Sequence, residues 1–444
     1  MDCPCKLWLE KVHKELMPPI DPALQNLFDK GNMVDAKAQE LWPGGVVVKG
    51  FNFEGYENTL KAMESGAEII YQPTIVADGL TCRADVLVRA DDGWDLHEVK
   101  AKSSISKENY YDATFQSICF ARAGIKLDKI FITYLNKEYI KDGEIDLEKL
   151  FIDEEVTGEV AKLTESVEEK ILEAKAVFEW GTKLKPEHIK HCEHRKACEW
   201  TGYWAETLSQ KERDELFADV EDDVVLPLHI DKKAIKKELE KLEYPLYFFD
   251  YETYSTPIPD FDGHWPWLQV PFQFSVYVLE YEGATPETHD FLMETFEDPI
   301  PSLLKAFAEV MGPTGTVISW HAIFEKSRNE EMAKLHPEYA EILQSVNERT
   351  YDLIEIFKQR MYLDPAFGGS SSLKAVMPVL CPDLSYDNLN IHEGGTASMS
   401  WPILTDPSLP KKKREQLYRD MIDYCRLDVY GMVRIVEELK KKVS

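Results

Sequence analysis

An apolar segment with two acidic residues in its middle constrains this chain more than any other stretch. Residues 246–253, LYFFDYET, have the composition of a buried strand, yet they include Asp250 and Glu252. Because successive side chains of a strand point to opposite faces, both carboxylates project from one face. A buried strand has no structural use for two such charges, whereas a divalent cation is bound by oxygen ligands of this kind. The segment therefore predicts a metal site.

Length and charge limit the classes of protein to consider. The chain has 444 residues, 44% of them hydrophobic, which is enough for two or three domains with substantial cores. A formal net charge of -29 argues against unaided, non-specific binding to nucleic acid or to an anionic membrane. The first residues lack the apolar core of a signal peptide, and no run is long enough to span a membrane. We expect a cytoplasmic protein with no membrane partner.

A second acidic pair lies on a predicted hairpin in the N-terminal half. Two apolar runs, TCRADVLVRA and GWDLHEVKAKS, are joined by a turn at residues 90–93. Glu98 and Lys100 are two residues apart and share a face of one strand, and the hairpin brings Asp85 alongside them. Two carboxylates can hold a divalent ion, and a lysine beside them can orient the attacking water. A solvated, charged hairpin is the alternative interpretation.

The cysteines form two groups. Cys3 and Cys5 lie near the start of the chain, and Cys192 and Cys198 lie in the motif HCEHRKACEW. Thiolates suit an iron–sulfur cluster or zinc, so these four are candidate ligands that would tie the two ends of one domain together. A histidine of the same motif joins them in one alternative, and the N-terminal pair are free thiols in another. The remaining cysteines lie in apolar runs and are expected in the core: Cys82, Cys119, Cys381 and Cys425.

The C-terminal half supplies partners for the first acidic pair. Three aromatic strands precede a predicted helix, IPSLLKAFAEVMG, and a further strand, GTVISW. Glu325 follows that strand in the segment HAIFEK. Tyr424 and Asp428 are four residues apart in a long predicted helix and therefore share a face. We expect these three residues to converge on Asp250 and Glu252.

These patterns predict an α/β protein with two domains. We expect an N-terminal domain at residues 1–205, closed by an amphipathic helix at residues 158–180, and a C-terminal domain at residues 244–444. Residues 206–243 are rich in charge and have no apolar pattern of their own, so we predict a helical linker there.

The N-terminal half resembles RecB-type nucleases. Asp85 followed by Glu98 and Lys100 is similar to the Asp…Glu-x-Lys arrangement of restriction-type nucleases, and Gln116 lies where the RecB type has a Gln-x-x-x-Tyr helix. The segment GNMVDAKAQE resembles their first helical motif, with Asp35 where many members have histidine. The resemblance implies a restriction-endonuclease-like α/β core, with Asp85 and Glu98 as metal ligands. It also implies catalytic roles for Lys100 and Gln116.

The cysteines add to this resemblance. RecB-type nucleases with an iron–sulfur cluster, including the nuclease of CRISPR adaptation, have one N-terminal cysteine and three after the nuclease core. The resemblance implies a [4Fe–4S] cluster, or zinc, as the cofactor. Its ligands here would be Cys3, Cys5, Cys192 and Cys198.

The C-terminal half resembles the DEDD exonucleases of the branch with a Tyr-x-x-x-Asp motif. Its order of three strands, a helix and a strand is similar to the ribonuclease-H-like fold, a mixed sheet flanked by helices. Glu325 occupies the place of the usual aspartate. The segments FFDYETY, HAIFEK, GSSSLKAVMP and DYCRLD are together similar to an uncharacterised bacterial family that joins a RecB-type module to such a domain. This resemblance covers nearly the whole chain.

The expected activity is metal-dependent hydrolysis of phosphodiester bonds. Two Mg²⁺ or Mn²⁺ ions would be held by Asp250, Glu252, Glu325 and Asp428. Tyr424 would orient the attacking water, since its ordinary pKa of about 10 makes it a poor base. The resemblance implies a 3′–5′ exonuclease acting on DNA in preference to RNA, with the N-terminal acidic site as a second nuclease centre. The alternatives are one exonuclease with an N-terminal DNA-gripping platform, and a non-catalytic nucleic-acid-binding or scaffold protein.

Overall fold

The structure of the chain, a computed structural model, describes residues 3–17, 19–181, 185, 188, 208–217 and 227–444. The chain divides into two compact units, Met1–Asp223 and Val224–Ser444. Each unit is mixed α/β, as the sequence predicts. No helix in the described ranges combines the length and the apolar character needed to cross a membrane.

A mixed six-stranded sheet forms the framework of the first unit. The strands of this unit are β1 (Val46–Val47), β2 (Ile69–Tyr71), β3 (Thr74–Ala77), β4 (Leu80–Arg83), β5 (Val86–Ala90), β6 (Gly93–Lys100), β7 (Leu127–Leu135) and β8 (Phe151–Glu155). Their order in the sheet is β1-β2-β5-β6-β7-β8, with β3 and β4 paired separately. The β5–β6 hairpin turns between Ala90 and Gly93, as predicted, and β6 runs parallel to β7.

Helices cover this sheet. They are α1 (Pro4–Val12), α2 (Pro22–Ala38), α3 (Asn52–Glu64), α4 (Lys107–Arg122), α5 (Leu147–Leu150), α6 (Thr157–Val177) and α7 (Gln210–Phe217). α4 packs against α6 and β7, and α6 confirms the helix predicted at residues 158–180. α2 begins where the side chain of Asp21 accepts a hydrogen bond from Leu24 N (2.8 Å), with Pro22 in the first position. α2 then packs against β6, which is the strand that carries Glu98.

The second unit has a five-stranded sheet between two apolar layers and a separate two-stranded sheet. The described strands of this unit are β9 (His229–Ile230), β10 (Leu246–Tyr254), β11 (Val270–Leu279), β12 (Glu287–Leu292), β13 (Thr316–Ser319), β14 (Thr350–Asp352) and β15 (Tyr362–Leu363). The sheet order is β12-β11-β10-β13-β14. β12, β11 and β10 form an antiparallel meander, whereas β13 and β14 run parallel to β10. The first strand of the meander is therefore central.

The helices of the second unit lie on both faces of that sheet. They are α8 (Lys232–Leu239), α9 (Ile300–Val310), α10 (Ile323–Leu335), α11 (Ala340–Glu348), α12 (Glu355–Lys358), α13 (Leu373–Leu380), α14 (Gly394–Thr405) and α15 (Lys411–Val443). One core contains residues of α13, α14 and α15, and the other contains residues of α9 and α11. The two cores take alternate residues of β10, which explains why this strand is apolar on both faces.

The second unit begins before the predicted boundary at residue 244. We predicted a charged linker at residues 206–243, but β9 pairs with β15, and α8 buries Ile235 and Leu239 in the core. The two apolar residues are four apart and so share a helical face, which the surrounding lysines and glutamates obscure in the sequence DKKAIKKELEKL. The described residues from 227 to 243 therefore belong to the second unit and not to a linker.

Candidate metal centres

Strand β10 directs its two acidic side chains toward α15. Leu246 and Phe248 lie in the core that contains α15, whereas Tyr247 and Phe249 lie in the core that contains α9. Asp250 and Glu252 continue the series of Leu246 and Phe248, so both carboxyl groups face the α15 side of the sheet. Glu252 is buried and Asp250 is half-buried. The strand is thus the source of one pair of acids, as the sequence predicts.

Helix α15 brings Tyr424 and Asp428 to the same face. Oδ1 of Asp428 accepts a hydrogen bond from the hydroxyl of Tyr386, and the side chain of Tyr424 lies close enough to lower the pKa of Asp428. The helix is held on β11 by Gln273, whose Nε2 donates a hydrogen bond to the carbonyl oxygen of Met421 (2.9 Å). The position of Asp428 is therefore set by the hydroxyl of Tyr386 and by the packing of α15 on the sheet.

Glu325 reaches this face from the side of β13. The chain leaves β13 through His321, which has a left-handed φ of 68°, and enters α10. Asp352, at the end of β14, accepts hydrogen bonds from the backbone N–H groups of His321 (2.9 Å) and Ala322 (3.0 Å). Glu325 lies in the first turn of α10 and is buried, and its charge raises the pKa of Asp250.

Burial raises the pKa of all four carboxyl groups. The pKa of Asp250 and that of Glu252 lie well above their ordinary values, because repulsion from neighbouring carboxylates adds to burial. Burial raises the pKa of Glu325 to about 8 and that of Asp428 to about 6. Four negative charges in this space would repel one another, so the cluster has to bind either protons or a cation. We call this cluster of Asp250, Glu252, Glu325 and Asp428 the β10 centre.

Two basic side chains near the β10 centre offset part of its charge. Lys374 lowers the pKa of both Glu252 and Asp428, although burial outweighs it in each case. Arg328 lowers the pKa of Glu325, but its guanidinium is already bound by a neighbouring glutamate at 2.7 and 2.9 Å. The positive charges of Lys374 and Arg328 therefore do not neutralise the four carboxylates, because Arg328 is already paired with another glutamate.

The donor atoms of the β10 centre fit a divalent cation. Ligand atoms of Asp250, Glu252 and Cys425 all lie within 4.8 Å of one another. Oε2 of Glu325 is buried and has no hydrogen-bond partner among the described residues. Hard divalent cations take several oxygen ligands, including carboxylates that approach from different elements. A bound cation would account for both the unpartnered oxygen and the excess of negative charge, and protonation of the carboxyl groups would account for the charge alone.

A second acidic cluster lies in the first unit, where β5, β6 and α4 meet. Oδ2 of Asp85 accepts a hydrogen bond from a backbone N–H of β6 (2.8 Å). Lys100 Nζ contacts Oε1 of Glu98 (2.6 Å) and Oδ2 of Asp112 (2.7 Å). Gln116 Nε2 donates to Oε2 of Glu98 (2.8 Å). The four residues predicted for this site are thus together, and Asp112 joins them; we call this cluster the β6 centre.

The β6 centre has more carboxyl groups than the charge of Lys100 can neutralise. Burial and the charge of Glu98 raise the pKa of Asp35 to about 6, and burial and the charge of Asp35 raise that of Asp85 to about 7. Burial raises the pKa of Glu98 well above its ordinary value. Burial alone would lower the pKa of Lys100, but the carboxylates of Glu98 and Asp112 outweigh it and raise that pKa. Glu98 is buried, which does not fit a solvated hairpin.

The predicted cysteine site is described only in part. Cys192 and Cys198 lie outside the described residues. Cys3 caps α1, and its Sγ accepts a hydrogen bond from Lys6 N (3.4 Å). Cys5 is buried, and its thiol donates to the carbonyl oxygen of His188 (3.2 Å). The other cysteines are buried as predicted: Cys82, Cys119, Cys381 and Cys425.

Sequence patterns did not reveal three residues of these centres. Tyr386 comes from a short 3-10 turn between α13 and α14, where nothing in the sequence marks it. Asp112 lies four residues before Gln116, one helical turn away, so the spacing could have revealed it. Cys425 was assigned only to the core; it is buried, but its Sγ also lies 4.0 Å from Oδ2 of Asp250. Its place beside Tyr424 was visible in the sequence, but its orientation was not.

Comparisons with known proteins give relatives without an assigned activity. Residues 247–372 match a family described as "Domain of unknown function (DUF2779)". The chain is 24% identical over 229 residues to the "Uncharacterized protein MG366 homolog" of Mycoplasma pneumoniae, a match that covers 46% of this chain and 34% of that protein. It is 26% identical over 228 residues to the "Uncharacterized protein MG366" of Mycoplasma genitalium, with coverage of 47% and 34%. The match thus spans about a third of each relative. No solved structure matches the chain significantly.

Proposed function

We propose that the chain is a metal-dependent nuclease whose main catalytic site is the β10 centre, and that it degrades DNA from single-stranded 3′ ends. One observation carries this proposal. Four carboxyl groups from three separate elements converge on one face of the central strand, and they are Asp250, Glu252, Glu325 and Asp428. Such a set matches the requirement of two-metal phosphodiester hydrolysis, in which cations stabilise both the attacking and the leaving oxygen.

The order of the sheet supports the proposal. An antiparallel meander followed by two parallel strands, with the first strand in the centre, is the arrangement of a ribonuclease-H-like fold. In such a fold the first strand, the segment after the fourth strand and the last helix bring acidic residues to one site. β10, α10 and α15 occupy these places here. The fold assignment is an inference from strand order and direction.

The protein side chains have distinct roles in the proposed reaction. When bound, Mg²⁺ or Mn²⁺ would lower the pKa of water and neutralise the leaving oxygen. Tyr424 stays protonated, because burial and the charge of Asp428 raise its pKa, so its hydroxyl can orient a water but not deprotonate one. Lys374, which lies 5.5 Å from the ring centroid of Tyr424, provides a positive charge beside the phosphate.

The start of α14 borders the β10 centre. A Cβ atom added to Gly394 would lie 3.8 Å from Oε2 of Glu252 and 3.9 Å from the hydroxyl of Tyr424. A side chain larger than alanine at this position would therefore meet both groups, and we propose that the glycine keeps this side of the centre free for the substrate.

We assign the β6 centre as a second nuclease site. Asp85 and Glu98 provide oxygen ligands for a cation, and Lys100 remains charged beside them. A charged lysine stabilises negative charge that develops on a phosphate, whereas a general base would need a lowered pKa. The proposed role of Lys100 is therefore electrostatic.

A paired substitution on α10 tests the main proposal. Glu325→Gln removes one carboxylate of the β10 centre, whereas Glu330→Gln removes an exposed carboxylate of the same helix. Purified protein with Mn²⁺ or Mg²⁺ is incubated with labelled single- and double-stranded DNA and RNA. We expect cleavage by the wild type and by the Glu330→Gln variant, with at least a hundredfold loss for Glu325→Gln, on the scale of about 2.7 kcal/mol for one charge-stabilising group. Intact nucleic acid in every wild-type reaction would contradict a nuclease function.

A further inference from the structure

Cys425 places a buried thiol inside the β10 centre. Its Sγ lies 4.0 Å from Oδ2 of Asp250 and 3.8 Å from the carbonyl oxygen of the same residue. Ligand atoms of Asp250, Glu252 and Cys425 are mutually within 4.8 Å. The thiol is fully buried, and its neighbour on the sheet is Ser275. The thiol can donate a weak hydrogen bond to either oxygen of Asp250, and it faces carboxylates instead of the apolar side chains around most buried cysteines.

A second observation is that a buried carboxylate oxygen beside the same cluster has no hydrogen-bond partner among the described residues. Glu325 is only 2% exposed, and this oxygen is its Oε2. The charge of Glu325 also raises the pKa of Asp250, so its carboxyl group lies beside the cluster that contains Sγ of Cys425. A buried polar atom without a partner is rare in folded proteins, and an ion is one way to satisfy it.

The distances suit a tetrahedral ion with one sulfur ligand. A Zn–S bond of about 2.3 Å and a Zn–O bond of about 2.1 Å place the two ligand atoms about 3.6 Å apart at a tetrahedral angle. The observed separation of 4.0 Å between Sγ and Oδ2 of Asp250 differs from that by a few tenths of an ångström. Thiolates select soft or borderline cations, whereas Mg²⁺ and Mn²⁺ prefer carboxylates and water.

We propose that the β10 centre is also a site for a thiophilic divalent cation of the Zn²⁺ class, bound by Sγ of Cys425 together with Asp250 and Glu252. On binding, the S–H bond breaks, an S–metal bond forms and the proton leaves to solvent, with no change of oxidation state. This inference deepens the proposed function, because such an ion would occupy the ligands that Mg²⁺ or Mn²⁺ needs. It therefore predicts inhibition of the nuclease by Zn²⁺.

Co²⁺ is the probe for this site, since Zn²⁺ has a filled d shell and gives no absorption of its own. The full-length protein is titrated with Co²⁺, and the thiolate-to-cobalt absorption is compared between the wild type and three variants. Cys425→Ser and Cys425→Ala remove the ligand, and the serine variant can keep a hydrogen bond with Ser275. Cys381→Ser is the matched control, because Cys381 is an equally buried thiol of the same unit. Thermal unfolding shows whether each variant is folded.

We expect one component of the absorption to be present in the wild type and in Cys381→Ser and to be lost in both Cys425 variants, whereas any absorption from the predicted site of Cys3, Cys5, Cys192 and Cys198 would be the same in all four proteins. Zn²⁺ affinity at this site should fall at least tenfold in Cys425→Ser, since even loss of an outer-shell partner costs roughly tenfold or more. An unchanged Co²⁺ spectrum in folded Cys425→Ser and Cys425→Ala would overturn the inference. The measurement does not depend on cleavage. A Cys425-dependent band in a protein without nuclease activity would contradict the proposed function but support the metal site at Cys425.

Discussion

Asp250 and Glu325 lie close enough for the charge of Glu325 to raise the pKa of Asp250, although one residue comes from the middle of a strand and the other from the first turn of a helix. The resemblance to DEDD exonucleases leads us to expect an aspartate at this position, and the side chain of Glu325 is one methylene longer. It reaches the β10 centre because Asp352 accepts two backbone hydrogen bonds from the turn before α10 and so fixes the start of that helix. The longer acid is therefore compatible with the cluster.

Removing a carboxylate from the β10 centre should stabilise the metal-free protein. Asp428→Asn keeps an acceptor for the hydroxyl of Tyr386 but removes a charge whose burial is unfavourable. We expect the free energy of unfolding at pH 8 to rise by about 1–3 kcal/mol, at 1.36 kcal/mol per unit of pKa shift. Asp423→Asn, an exposed change on the same helix, is the control and should have little effect. Chemical denaturation with EDTA present measures both. A destabilised Asp428→Asn protein would contradict the account.

The raised pKa of Glu325 should make the stability of the folded protein depend on pH. Its pKa is raised from 4.5 in the unfolded chain to about 8 in the folded protein. Above pH 4.5 the unfolded state loses this proton while the folded state keeps it, so stability is lost as pH rises from about 4.5 to 8. Glu325→Gln has no such proton, and the difference in unfolding free energy between variant and wild type should grow across that window in metal-free buffer. A constant difference from pH 5 to 8 would show that this pKa is not raised.

The two tyrosines beside Asp428 should differ in their effects, because only Tyr386 donates a hydrogen bond to it at short range. Tyr424→Phe removes the hydroxyl assigned to orient water, so we expect kcat to fall roughly a hundredfold with little change in metal affinity. Tyr386→Phe removes a hydrogen bond that fixes a metal ligand, so we expect Mn²⁺ affinity to fall about 10- to 100-fold. Mn²⁺ titration by calorimetry and cleavage at saturating Mn²⁺ separate the two effects. Equal loss of metal affinity in both variants would remove the distinct role of Tyr424.

Lys100 should stabilise the first unit through its contacts with Glu98 and Asp112. Lys100→Met leaves Glu98 buried without its cation, and we expect a loss of about 3 kcal/mol, less if Glu98 takes up a proton. Glu98→Gln in the same chain should recover part of that loss, because it removes the uncompensated charge. Denaturant unfolding of the single and double variants gives the coupling free energy. If the double variant shows the sum of the two single effects, Lys100 and Glu98 do not interact energetically.

Residue spacing predicted the acidic residues of regular strands and helices, but it did not predict the residues from irregular segments that contact them. Alternation along β10 placed Asp250 and Glu252 on one face, and the four-residue spacing on α15 did the same for Tyr424 and Asp428. These local periodicities do not depend on the rest of the chain. Tyr386 comes from an irregular turn, where no periodicity marks a buried side chain.

Buried positions within charged or apolar runs were also hard to assign from the sequence. Ile235 and Leu239 were missed because lysines surround them, and their burial depends on packing against α15. The direction of the Cys425 thiol likewise depends on where α15 contacts β10 and β11. Such contacts join elements that are distant in the chain, and local patterns do not encode them.

The most direct test of the account is the cleavage pattern of single-stranded DNA labelled at its 5′ end, in the presence of Mn²⁺. Asp250→Asn disables the β10 centre, Asp85→Asn disables the β6 centre, and Asp91→Asn, in the exposed turn of the β5–β6 hairpin, is the control. We predict a ladder of products shortened from the 3′ end for the wild type, Asp91→Asn and Asp85→Asn, and none for Asp250→Asn. A wild-type ladder that persists in Asp250→Asn would contradict the assignment of the β10 centre as the exonuclease site.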